Sequence, residues 1–385
     1  MSIEYIDTPD GLAKACQQLI NSDFICVDTE FHRESTYYPE LALVQLANEQ
    51  FTCCIDPLAI KDLKPLLDLL TDTSILKVFH AAYQDMEIFH HHFGILPKPV
   101  FDTQVAGAIT GYGDQVGYAS LMKSILNVDI DKTQTRTDWM QRPLNAEQIE
   151  YAGNDVLYLA QAFPILREQL VKQDRLHWLD EDFDLITQPD TYKNHPEAMW
   201  QKVSGHQRLK GQQLAILQAI AAWREQTAQQ RNKPRKRILP DDALIDIARQ
   251  KPVKGEQLLA LRSMNRTRLS ADETRAVISI IEQALKLPKS DWPVLHIPQK
   301  LSVEDDAKVD ILFAVLKLNA AKHNINPASM ATRKQLESLV RGERDLPILH
   351  GWRKTHGGQM MLDVLEGKLV LDIHSGKLIT HNAAS

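Results

Sequence analysis

Cysteine is scarce in this 385-residue chain, and its spacing excludes more than its number does. The four cysteines are Cys16, Cys26, Cys53 and Cys54. None stands in a C-x-x-C pair, which argues against a zinc knuckle or a redox dithiol. Cys26 and Cys53 lie in apolar runs and read as small core residues, which fits a reducing compartment. No stretch approaches the roughly 18 apolar residues of a membrane-spanning helix. The opening residues, Met1 to Gly11, lack the basic-then-apolar pattern of a secretory signal. The expectation is a cytoplasmic protein with no membrane partner. An excess of basic residues is also missing: 44 Lys and Arg stand against 50 Asp and Glu, a formal net charge of −6. The chain as a whole is therefore not an evident nucleic-acid binder. An acidic metal site would itself add negative charge, so charge has to be read segment by segment.

What is present is enough apolar material for more than one core, in a length that suggests two or three domains. Residues 1 to about 190 alternate short apolar runs with helical patterns. Phe24 to Asp28 reads as the first buried strand. Leu41 to Leu46 and Phe51 to Ile55, parted by Asn48-Glu49-Gln50, read as a hairpin. Leu63, Leu66, Leu67 and Leu70 follow helical spacing. Ile75 to Phe79 is a fourth strand, Asp85 to Phe93 a helix stopped by Gly94, and Val100-Phe101 a short fifth strand. Strands first paired, then alternating with helices, predict a mixed sheet covered by helices. From Leu209 onward strand signals nearly vanish. A helical block follows, then a proline-marked break from Pro288 to Pro298, then a second helical block from Val309 to about Leu371 and a short polar tail after Gly376. The expected organisation is a domain over 1–190, a linker over 191–208, a helical domain over 209–289, a linker over 290–301 and a second helical domain over 302–385.

Chemistry concentrates in three acidic segments. Asp28 and Glu30 are i and i+2 on a strand and so face the same way. Carboxylates that close repel and need a cation or strong hydrogen-bond donors to stay ionised. Oxygen donors suit a hard divalent ion. Asp85 falls in the first turn of a helix, where a bland helix-capping role is also available. Tyr151 and Asp155 are i and i+4 on a later helix and share a face. Taken singly, each is more simply a solvated acid, a cap or a core tyrosine. Asp102 reads as a cap for the following helix and His80 as a packed or hydrogen-bonded histidine. His90 to His92 read as a polar helix end.

The order of these segments changes that balance. Val27-Asp28-Thr29-Glu30-Phe31, then Asp85, then Tyr151 with Asp155, resembles the signature of the DEDD exonuclease superfamily, tyrosine subclass. Thr36-Tyr37-Tyr38-Pro39-Glu40-Leu41, Val44-Gln45-Leu46, Asp56-Pro57-Leu58, Phe101-Asp102-Thr103-Gln104, Arg136-Thr137-Asp138-Trp139 and Arg142-Pro143-Leu144 resemble the ribonuclease D family in particular. The resemblance covers nearly the whole chain. It implies an RNase H-like mixed-sheet exonuclease domain and two divalent metal ions, Mg2+ or Mn2+, held by Asp28, Glu30, Asp85 and Asp155. It further implies that Tyr151 orients the attacking water. The implied reaction is hydrolysis at RNA 3′ ends with release of nucleoside 5′-monophosphates, on partners such as tRNA precursors, by a monomeric enzyme. One departure is Gly153, where relatives often carry Ala. A helical Gly costs roughly 1 kcal/mol against Ala, so it is expected to loosen the helix bearing Tyr151 and Asp155.

The C-terminal half resembles helicase-and-RNase-D C-terminal (HRDC) domains, the second block as a diverged copy with Arg333 to Leu336, Leu339 and Gly351-Trp352-Arg353. Arg231 to Arg237 holds five basic residues in seven, and Lys233, Arg235, Lys236 and Arg237 are candidate RNA-phosphate contacts. The plain alternative is a solvated loop between helices. Two rival functions stay open on sequence: a DNA 3′→5′ exonuclease, which would share the carboxylates, and a catalytically silent RNA-binding protein, which would commonly have lost one of them.

Overall fold

The computed structural model describes residues 2–131, 133–134, 137–265, 267–295 and 300–383. Arg136 of the Arg-Thr-Asp-Trp motif and residues 296–299 of the expected second linker lie outside the described residues. The chain divides into two compact units: Met1–Glu30, Ala42–Thr191 and Lys300–Ser385 form the first, Phe31–Leu41 and Tyr192–Gln299 the second.

The first unit is built on a six-stranded mixed sheet in the order β1-β4-β3-β2-β5-β6. Its strands are β1 (Ile3–Ile6), β2 (Phe24–His32), β3 (Glu40–Ala47), β4 (Thr52–Ile55), β5 (Leu76–Phe79) and β6 (Val100–Asp102). The hairpin is β3 with β4, antiparallel, with Val44 opposite Ile55 and Ala47 opposite Thr52. Asn48 closes it: its Oδ1 accepts from Gln50 N at 2.9 Å and Phe51 N at 2.7 Å. β2 and β5 are parallel, with Cys26 opposite Val78. One strand was not foreseen. β1 precedes the strand expected to be first and lies at the sheet edge, parallel to β4. Its four residues, Ile-Glu-Tyr-Ile, are too short to carry a pattern, and pairing with β4 makes them a strand.

Helices α1 (Pro9–Leu19), α2 (Lys64–Thr71), α3 (Tyr83–Phe93), α4 (Thr103–Thr110), α5 (Tyr118–Leu126) and α6 (Ala146–Lys172) accompany the sheet. α3 ends at Gly94, which takes φ 67° and donates its N–H to the His90 carbonyl. α6 starts with a reciprocal cap: Asn145 Oδ1 accepts from Gln148 N at 2.8 Å, and Gln148 Oε1 accepts from Asn145 N at 3.0 Å. α6 runs unbroken through Gly153. A Cβ there would stand 2.5 to 2.8 Å from three side-chain atoms of Ile3, so Gly153 is the point of close approach between α6 and β1.

The helix Val303–Lys322 shares the first unit's core: Val309, Leu312 and Leu316 belong to the same apolar cluster as Val156, Phe163 and Leu166 of α6. Trp178 stacks on Trp352 at 4.7 Å, and Arg353 pairs with Asp182 at 3.2 Å. The helical pattern expected to run to about Leu371 stops earlier, at Leu365. The chain then forms a hairpin of β7 (Leu369–His374) and β8 (Lys377–Asn382). Ser375 and Gly376, at φ 52° and 75°, supply the two left-handed positions that a tight hairpin requires. The tail thus needed only a turn to become a strand pair.

In the second unit the described residues 192–295 contain no strand. Their core gathers Leu214, Leu217, Ile220, Leu244, Ile247 and Val277, with Trp200 and Val203 packed in. The β2–β3 connection belongs to this unit. Asn232 Oδ1 accepts from the backbone N–H of Tyr37 at 3.1 Å and of Tyr38 at 3.0 Å, and the buried Tyr37 hydroxyl donates to the fully buried Glu225.

Gly153→Ala should lower stability by about 1–2 kcal/mol, because forcing a methyl into filled space outweighs the gain in helix propensity. Urea unfolding of the two proteins measures it; a more stable variant would mean that propensity governs this position.

Candidate metal centre

Asp28 and Glu30 alternate along β2 with Thr29 between them, and α6 brings up Asp155. One carboxylate oxygen from each of the three lies within 4.8 Å of the others. Asp85, in the first turn of α3, stands outside this tight trio. It is buried, accepts a hydrogen bond from Thr29 Oγ1 at 2.5 Å, and repels Asp28 and Glu30. The four sequence candidates for metal ligation are therefore in one electrostatic neighbourhood, three of them in mutual ligand range.

Their ionisation reflects burial first and mutual repulsion second. Desolvation pushes the Asp28 carboxyl up to about 7, partly offset by the Thr29 backbone N–H. Asp155 rises to about 8, by desolvation and then by the charge of Asp28. Glu30 is held well above its usual value by desolvation and by Asp28, Asp155 and Asp85, and Asp85 likewise by desolvation and Asp28. Such a set cannot be fully ionised at neutral pH without positive charge among its oxygens. All four donors are carboxylates, with no nitrogen or sulfur, which fits a hard divalent cation.

Tyr151 lies one helical turn before Asp155. Its ring packs by Trp139 at 6.1 Å between centroids, and it lines a cavity of about 370 Å³ with Glu147, Glu150, Asn154 and Tyr158. Asp102 keeps its capping role. Its carboxylate accepts from Gln104 N and Val105 N and from the backbone N–H groups of Ala81 and Ala82. Ala81 sits at φ 61°, so Asp102 fixes the turn that leads into α3 and Asp85. His80 is packed edge-on to Tyr118 and its Nδ1 lies 3.0 Å from Thr103 Oγ1.

The basic run divides in the second unit. Arg235 is engaged internally: it pairs with Glu225 at 3.2 Å and lies 5.9 Å from the centre of the Tyr37 ring. Arg237 donates to the Glu34 carbonyl at 3.4 Å, and Lys236 stands 3.8 Å from Asp241. Lys233, Lys236 and Arg237 remain solvent-exposed.

Sequence reasoning missed Thr29 and Tyr118. Tyr118, half-buried, donates its hydroxyl to the Asn154 carbonyl at 3.0 Å, and its phenol is pushed far above its usual range by desolvation and then by the charges of Asp155 and Asp28. No local pattern announces it. Arg142 and Asp56 were visible only as separate motif fragments; here Arg142 grips Asp56 through Nε at 2.7 Å and Nη2 at 2.9 Å.

A carboxylate cluster on a mixed sheet, followed by a helical unit, is the plan of a 3′-5′ exonuclease joined to an HRDC domain. The family described as 3′-5′ exonuclease matches residues 3–171, and the HRDC domain family matches residues 213–281. Ribonuclease D of Bartonella henselae is 39% identical over 370 residues, covering 95% of this chain and 91% of its own. Ribonuclease D of Sphingobium indicum is 41% identical, covering 93% of each chain. The crystal structure of Escherichia coli RNase D, described as an exoribonuclease involved in structured RNA processing, superposes with a TM-score of 0.83 at 30% identity, over 95% of this chain and 99% of that one. This chain belongs to the ribonuclease D family.

A raised carboxyl pKa means that folding disfavours ionisation, so the stability present below the unfolded values near 4 is lost as pH climbs through the folded ones. For the cation-free protein, stability should fall as pH rises from about 4 and should still be falling at pH 7 to 8, where Asp28 and then Asp155 pass through their midpoints. Saturating Mg2+ should flatten that slope. Thermal melts across this range, with EDTA and with Mg2+, measure both; a cation-free slope that Mg2+ leaves unchanged would contradict the metal assignment.

Proposed function

We propose that the chain is a 3′→5′ exoribonuclease that uses two divalent cations, Mg2+ or Mn2+, at Asp28, Glu30, Asp85 and Asp155, in the manner of the tyrosine subclass. The observation that carries the reading is the Asp28, Glu30 and Asp155 trio, with Tyr151 one helical turn away. When bound, such ions supply acidification of water and neutralise charge on the leaving oxygen. The chain's own part is to hold the oxygen donors at fixed spacing and to present Tyr151 as a hydrogen-bonding phenol that orients the attacking water. Hydrolysis at the 3′ end releases nucleoside 5′-monophosphates. The substrate is RNA with a free 3′ end, tRNA precursors with 3′ extensions foremost, and the enzyme works as a cytoplasmic monomer.

The domains divide this work as 1–190 for catalysis, 209–289 as an HRDC domain and 302–385 as a second, diverged one, joined by 191–208 and 290–301. Helical domains of this kind add phosphate contacts that give affinity with little sequence readout.

Asp155→Asn should abolish mononucleotide release from a tRNA carrying a 3′ extension while leaving the melting transition intact. Near-wild-type turnover of that variant at saturating Mg2+ would refute the assignment. Matched RNA and DNA oligonucleotides run beside it separate this reading from a DNA exonuclease.

The basic run makes a two-way prediction. Neutralising exposed Lys233 and Lys236 to Gln should weaken RNA binding and reduce the salt slope by about 1–2. Arg235→Gln should instead cost about 3 kcal/mol of stability, because it leaves buried Glu225 without its cation. Filter binding at several salt concentrations and urea unfolding read the two effects separately.

A further inference from the structure

The segment from Trp139 to Leu144 supplies no carboxylate to the metal centre, yet Arg142 within it has no N–H left over. Nε donates to Asp56 Oδ2 at 2.7 Å and Nη2 to Asp56 Oδ1 at 2.9 Å. Nη2 also donates to the Ala42 carbonyl at 2.6 Å. Nη1 donates to the carbonyls of Trp139 at 2.7 Å and Gln141 at 2.9 Å. That is the full donor set of a guanidinium. Asp56 is 2% exposed and also accepts from the Tyr5 hydroxyl at 2.6 Å, so the anchor is tied to β1 and to the end of β4. Trp139, whose carbonyl is held this way, is 5% exposed and clusters with Ala42, Leu43, Cys54, Leu144 and Ala152. Tyr151 packs against that cluster, its ring tilted 36° to Trp139. A second tether, Gln148 Nε2 to Thr137 Oγ1 at 2.9 Å, fastens the same segment to the first turn of α6.

We propose that Arg142 is a positioning residue for Tyr151: its grip on Asp56 fixes Trp139, and the Trp139 ring is the wall that sets the direction of the Tyr151 phenol. The proposal rests on the reading of Tyr151 as the water-orienting group. A phenol on a helix has two side-chain torsions of its own, and the helix cap at Asn145 fixes neither. Packing against a rigid indole does. Lysine cannot substitute, because a point charge on a flexible stem cannot hold a carboxylate and three carbonyls at once.

The test is a set of double-mutant cycles on the full chain with a single-stranded RNA oligonucleotide, alongside calorimetric titration with Mn2+ alone. Arg142→Lys and Trp139→Leu should each lower kcat about tenfold, with KM within about twofold, since a misaligned group costs the transition state and not ground-state binding. Mn2+ affinity should not move. Trp139→Phe, which keeps a ring, should retain most of the rate. In a Tyr151→Phe background both substitutions should cost less than about twofold more. An equal loss in that background, a wild-type kcat in the folded variants, or a loss confined to Mn2+ affinity or KM would overturn the proposal. If Arg142→Lys does not fold, the Trp139→Leu and Trp139→Phe pair decides alone. If Tyr151→Phe itself turns over at the wild-type rate, the reading of Tyr151 falls before this inference does.

Discussion

Carboxylates gathered in one place repel each other, and removal from water makes each charge harder to sustain. The structure around them manages that repulsion. β2 holds Asp28 and Glu30 on one face of the sheet, and Thr29 satisfies Asp85 from between them. α6 delivers Asp155 from a helix whose start is capped and whose middle is pressed against β1 at Gly153. Asp102 fixes the strained turn that places Asp85. The carboxylates sit on a strand and two helices rather than on loops, which limits how far like charges can move apart. What remains is protonation or a cation: burial raises the Asp28 and Asp155 carboxyls, and the charge of Asp28 raises Asp155 further.

Much of this was legible in the sequence because its determinants are local. The apolar run from Phe24 to Val27, the i, i+4 spacing of Tyr151 and Asp155, and the stop at Gly94 need no tertiary knowledge. The features that escaped are those set at a distance. Ile3–Ile6 is a strand only because β4 lies beside it. Gly153, by propensity a flaw, is an allowance for Ile3, a residue far away in sequence. The hairpin at 369–382 was hidden because an apolar run ending a helical block looks the same whether the helix continues or a turn intervenes. Asp56 and Arg142 stood out as separate fragments, and nothing in a single sequence says that they are partners.

The basic run shows a different limit. Charge composition alone treats Lys233, Arg235, Lys236 and Arg237 as equivalent. In the structure Arg235 is committed to Glu225 beneath the Tyr37 ring, where the chain leaving β2 is held by Asn232. A half-buried cation paired with a buried carboxylate fixes a loop, whereas Lys233 and Lys236 keep their side chains in solvent. The same stretch thus combines an anchor and a surface, and only burial tells them apart.

The unbroken apolar cluster joining α6 to the helix Val303–Lys322 bears on how the molecule comes apart. Phe163, Leu166 and Trp178 share that cluster with Leu312, Leu316 and Trp352, and Trp178 stacks directly on Trp352. Heat or denaturant should then melt the sheet and the C-terminal helices in one cooperative step. A chain ended before Val303 would not be a trimmed enzyme. It would be a nuclease with an open flank, prone to self-association, and its lost activity would say little about what the missing helices do for RNA.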